Sequence, residues 1–229
     1  MTTVLRPLGA ALGAAAGLLA AVRGGRPIHS RGVVVRASLV VAEDEAGADA
    51  VPQGRTDALV RVSLAVGLPR GLPDVVGLVV RWSDDGAPQD VLFASAGRGR
   101  RTRHLLVPRR ELLGGWFSTL MPLRSPHGPV VLGLRPDRAA GRALGAPVLE
   151  VLSAVPGGPW RRFGALELHG PPAGVAHDGD DPVLRFDPTR HAPHRLGTYA
   201  WEDVLRAPGY LAARRAGRPA RASMRDRGD

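Results

Sequence analysis

The chain has 229 residues, enough for one sizeable core with tails, and contains no cysteine. That excludes disulfides, thiolate catalysis and Cys-ligated zinc or iron–sulfur centres. The formal charge is +10, and without any lysine all 31 basic residues are arginines. They are spread along the chain, and with only 4% aromatic residues to stack on bases this argues against a nucleic-acid partner.

Residues 1–25 open the chain as an apolar Ala/Leu/Gly stretch, and residues 8–22 carry no charge. That run is shorter than the roughly 20 residues of a membrane span. It predicts an N-terminal helix, with three fates open: packing on the domain, weak membrane association through residues 2–22, or removal as a signal with Arg6 as its n-region. A loop follows over residues 23–32, then a β-branched strand over 33–42 and an acidic, Gly/Ala-rich loop over 43–57.

Residues 58–66 and 75–82 predict two strands around a Gly/Pro-rich connection, 67–74. Strand alternation puts Val60, Val62 and Leu64 on one face and Leu59, Arg61 and Ser63 on the other. Arg61 and Ser63 then project side by side, about 7 Å apart. The apolar run 75–80 predicts a central strand covered on both faces. Gly77 within it suggests a bulge or the close approach of something flat or bulky. Residues 90–94 are a short fourth strand.

Residues 97–103 (GRGRRTR) form a basic loop, residues 105–113 one or two helical turns around Pro108, and residues 116–122 an apolar irregular stretch. Strands follow at 130–134, 148–155 and 163–168, with PGGP at 156–159 as the turn between the last two. A polar loop spans 170–181, a last strand 183–186, a C-terminal helix 201–217, and a charged, disordered tail 218–229. Eight short strands with few helices predict a mainly β fold: an antiparallel barrel over residues 26–200, built as two half-barrels, with peripheral helices at the N- and C-terminal ends.

Three constellations could carry chemistry. The first is Arg26, His29 and Arg31 just ahead of the wall that carries Arg61 and Ser63. An imidazole serves as acid and base near neutral pH, a hydroxyl fixes its tautomer, and arginines hold a carboxylate or phosphate. The second is Arg98–His104, a phosphate or anionic-membrane candidate and otherwise a solvated loop. The third gathers His169, His177, His191 and His194 with Asp178, Asp180, Asp181 and Asp187, but without a metal-motif spacing.

The blocks RPIHSRG (26–32), VRVSLAVG (60–67), DVVGLVVRW (74–82) and DVL (90–92) resemble, in order, R-V-V-H-A-K-G, V-R-F-S-T-V-x-G, D-x-R-G-F-A-x-K-F and D-L-V of the heme-dependent catalase-like superfamily. The resemblance covers roughly residues 26–95. It implies an antiparallel barrel with heme against its inner wall. It implies His29 as the distal proton shuttle, Ser63 as its hydrogen-bond partner, and Arg26 and Arg61 as holders of the heme propionates. Gly32 and Gly77 would be structural glycines of the wall.

Ser95 falls where the family has its distal Asn, and Val76 where it has the Arg of D-x-R-G. The family's proximal Tyr pattern, R-x-F-x-Y-x-D, is absent. Residues 185–197 echo that region without the Tyr, so Tyr199 and Tyr210, the only tyrosines, are the candidates for the cofactor's far side.

The resemblance implies a heme-binding oxidoreductase acting on peroxide or an organic hydroperoxide, without high catalase turnover, on a small-molecule substrate in the cytoplasm. Two alternatives stand beside it. One is a barrel of the same fold that has lost heme and binds a small apolar or anionic ligand. The other is a phosphodiesterase-type phosphoester hydrolase using His29 as base and the arginines as phosphate holders.

Overall fold

The computed structural model describes residues 31–42, 51–69, 71–170 and 191–199. The fold is mainly β. Strands β1 (Arg31–Val41), β2 (Gly54–Leu64), β3 (Val76–Asp84) and β4 (Ala87–Ser95) form a continuous antiparallel meander. β5 (Phe117–Ser118) pairs with β4 on one side and with β7 (Gly128–Pro136) on the other. β8 (Val148–Ala154) and β9 (Arg161–Leu168) complete the circuit, and β9 pairs with β1. The result is a closed eight-strand antiparallel barrel. β6 (Leu123–Ser125) lies outside the circuit as a hairpin arm of β7.

Alternation along the strands makes the barrel a packed core. Val60 and Val62 of β2, Leu78 and Val80 of β3, Phe93 of β4, Leu132 and Leu134 of β7, Leu149 and Val151 of β8 and Leu166 of β9 belong to one buried cluster drawn from around the circuit. Each such side chain, fully buried, is worth about 1.5–3 kcal/mol. The lumen is therefore filled by the chain's own side chains.

Turn chemistry follows the residues. Asp85 and Gly86 both take positive φ (49° and 77°), and Asp84 pairs with Ala87, so a two-residue turn joins β3 and β4 with the twist a hairpin favours. The expected PGGP turn lies between β8 and β9.

Several expectations need correction. The barrel's eighth strand is β5, inside the stretch expected to be irregular; the strand expected at 183–186 lies outside the described residues. Residues 105–113 are not helical. Leu106 pairs with Ala96 and Arg109 with Asp74, so the segment is held extended by neighbours its own periodicity does not reveal. A 3-10 turn sits earlier, at Thr102–His104, and a short helix, α1 (Arg138–Leu144), was not anticipated. Asp137 caps α1 by accepting from the Ala139 and Ala140 N–H groups, and Gly145 ends it at φ 66°. Gly77 makes no bulge: Ser63, Gly77 and Ala94 stay in unbroken register. The predicted helices at 1–25 and 201–217 and the tail 218–229 lie outside the described residues, and among those described no helix is long and apolar enough to cross a membrane.

Candidate functional site on the outer wall of the first four strands

Arg61 and Ser63 share a face of β2, as alternation requires, but it is the outer face of the barrel. Their chain neighbours Val60 and Val62 fill the core. Both polar residues are nonetheless buried, Arg61 at 6% relative exposure and Ser63 at 2%. Apolar side chains fill the inner face, so the face that carries Arg61 and Ser63 is the outside of β1–β4.

Cross-strand register fixes what surrounds them. Gly32, Ser63, Gly77 and Ala94 form one row across four strands. The next row is Val34, Arg61, Val79 and Leu92. A Cβ added to Gly32 would meet the Arg61 guanidinium at 2.7 Å, so the cation lies flat on the space that glycine leaves. Ser63 Oγ donates a long 3.4 Å hydrogen bond to the Gly77 carbonyl. The wall is thus flat at one row and cationic at the next.

His29, Arg26 and Tyr210 lie outside the described residues. Ser95 does not join Ser63 and Arg61. It is one residue past Ala94 and faces the opposite side of β4, where its Oγ accepts the Val76 N–H (3.0 Å) and donates to the Val107 carbonyl (2.8 Å). Ser95 is a strut between β3 and the segment after the 3-10 turn. Tyr199 is half-buried, two residues past Gly197, whose N–H and carbonyl both pair with Arg124 of β6.

The described residues thus set a row without bulky side chains beside a buried arginine. Four of the five described histidines have ring-nitrogen contacts within hydrogen-bond distance. His169 Nε2 contacts Ser38 Oγ (3.0 Å), His104 Nδ1 the Leu120 carbonyl (2.6 Å), His191 Nδ1 the Asp90 carboxylate (3.2 Å) and His194 Nε2 Gln89 (3.2 Å).

Of the His/Asp constellation, His177, Asp178, Asp180, Asp181 and Asp187 lie outside the described residues, and among those described no group of three or more His, Asp or Glu could hold a metal. His191 and His194 instead strap their segment to β4. Asp90, with its carboxylate fully buried, takes Arg81 in a two-point pair at 2.6 Å and 2.6 Å, and Gln89 accepts the His194 N–H at 2.9 Å.

The basic loop divides. Arg98, Arg100 and Arg101 are exposed, whereas Arg103 is buried at 1%. Arg103 Nη2 donates to the Gly158 carbonyl (2.8 Å), and its guanidinium sits 4.0 Å from the Trp160 ring centroid. Burial first, and the neighbouring Arg100 second, push its pKa below the usual arginine value. Arg103 is a packed cation rather than an offered one, and a phosphate site built on the whole cluster loses one of its four arginines.

Sequence reasoning passed over one concavity, a pocket of about 420 Å³ on the same outer wall, lined in part by Arg36, Asp57, Leu59, Arg81, Pro88 and His169. The signal was present: Asp57 and Leu59 continue the face of Arg61 and Ser63. The reading of 43–57 as a loop hid it, because β2 begins at Gly54.

No family model matches the chain, and a search of curated proteins gives no match.

Proposed function

We propose that the chain is a catalase-like, heme-binding protein that processes peroxide or an organic hydroperoxide at low turnover, with heme against the outer wall of β1–β4. The observation that carries this reading is the buried Arg61 lying over Gly32 beside the Gly32–Ser63–Gly77–Ala94 row. The same reading places a small-molecule substrate and a cytoplasmic setting around the site. Bound there, heme would supply the redox chemistry toward the peroxide.

The chain's own residues have separate tasks in this proposal. Arg61 neutralises and orients a propionate from a site where water competes poorly. Gly32 and Gly77 bring no side chain of their own to that row. His29, two residues ahead of β1 in sequence, moves the proton, and Ser63 orients its imidazole. The resemblance of residues 26–32, 60–67 and 74–82 implies these residue roles, with the heme on the inner wall; the outer placement rests on the face of Arg61 and Ser63.

Hemin titration of the purified full chain, followed at the Soret band, tests this. The wild type should saturate near one equivalent, and Arg61→Ala should weaken binding by about tenfold or more, since a charge-assisted contact is worth about 1.5–3 kcal/mol. His29→Ala should retain heme and lose peroxide turnover. Either Tyr199→Phe or Tyr210→Phe should change the spectrum. A wild type without a Soret shift rejects heme and leaves a heme-free barrel that binds a small ligand. A shift indifferent to Arg61 puts the heme elsewhere than this wall.

A further inference from the structure

The pocket of about 420 Å³ lies beyond the Arg61 row, toward the β3–β4 turn. Arg36 of β1 sits opposite Leu59, and Asp57 of β2 opposite Ser38, so Arg36 and Asp57 are diagonal neighbours across two strands. Diagonal positions stand about 7–8 Å apart, within reach of an arginine. Both side chains line the pocket and both are exposed, yet they do not pair with each other. Neither makes an ion pair among the described residues, although Arg55, Arg81 and Arg135 all find carboxylates.

The remaining walls are of mixed character. Leu59 and Pro88 are apolar. The Asp90 carboxylate occupies Arg81, and Ser38 contacts His169. A pure anion would meet the Asp57 carboxylate, and a pure cation would meet Arg36. A ligand bearing both charges on a short, partly apolar frame satisfies each.

We propose that this pocket binds a small zwitterion of the α-amino-acid type, with its carboxylate on Arg36, its ammonium on Asp57 and its side chain over Leu59 and Pro88. This inference is independent of heme on the neighbouring wall.

The test uses the full chain without added hemin. The twenty standard amino acids are screened by thermal unfolding, and the best is titrated calorimetrically beside its deaminated and decarboxylated analogues. At roughly tenfold excess over Kd, the best ligand should raise Tm by about 3–6 °C. Each one-charge analogue should bind at least about tenfold more weakly, as should the best ligand to Arg36→Ala and to Asp57→Ala. Because both side chains are exposed, the unliganded variants should unfold close to the wild type, so lost binding reads the site and not the fold. The inference is overturned if no amino acid binds, if a one-charge analogue binds as well as the parent, or if either variant binds normally.

Discussion

Gly32 has no side chain where the Arg61 guanidinium lies, and the two residues form one device. Gly32→Ala would place a methyl 2.7 Å from Arg61 Cζ. The obstacle is the far end of a flexible side chain, so the cation can move aside. Thermal unfolding should show a loss under about 1 kcal/mol. Hemin affinity should fall by far more than stability does, because the cation is displaced from its place over the wall. Equal losses in the two measurements would mean that Arg61 acts only as packing. Arg103 presents the opposite case of an arginine used structurally. Its planar group meets the Gly158 carbonyl and the Trp160 face together. A lysine offers one point charge in place of that fork. Arg103→Lys should therefore cost about 1–3 kcal/mol in urea unfolding, and a neutral result would show that the planar contact contributes nothing.

The Gly/Pro-rich connection between β2 and β3 is folded by a single carboxylate at its end. Asp74 is buried and accepts N–H bonds from Val66 (3.1 Å), Gly67 (2.7 Å) and Leu68 (3.1 Å), while its own N–H and carbonyl pair with Arg109. Asp74→Ala leaves three donors without that acceptor and should cost about 2–4 kcal/mol. Asp74→Asn keeps one acceptor oxygen and should fall between, and chemical denaturation of the pair separates shape from charge. This element also shows what was legible. The strands on either side were readable because alternation at Val60, Arg61, Val62 and Ser63 is local. The segment around Arg109 was not, because LLVPRRELL carries an apolar spacing that suits a helix while its partners, Asp74 and Ala96, are distant in sequence. For the same reason the shared face of Arg61 and Ser63 is legible in the sequence, and the face of Ser95 is not. One residue of offset on β4 puts Ser95 on the other face.

At the scale of the whole molecule, the barrel is two four-strand halves, β1–β4 and β5, β7, β8 and β9, as the order of strands along the chain suggested. One seam, β1 with β9, runs over five residue pairs, and the other depends on β5, two residues long. Two residues carry no readable period, which is why closure could not be located in the sequence. Phe117 holds that seam: it is fully buried, opposite Ser95 on β4 and Leu134 on β7. Just beyond it, the Thr119 N–H donates to the Leu132 carbonyl at 3.0 Å, extending the join. Phe117→Ala should cost about 3–5 kcal/mol, the ordinary cost of a large core cavity. Phe163→Ala on β9, equally buried, should cost a similar amount and serves as the control. The two should differ in where the barrel opens. In Phe117→Ala, hydrogen exchange should quicken at the amides of Ala96, Thr119 and Leu132 while the β1–β2 ladder stays protected; in Phe163→Ala those amides should open only with the rest of the molecule. Matching exchange patterns in the two variants would mean that the short strand is not the weak point of the circuit, and that the two halves of the barrel unfold as one.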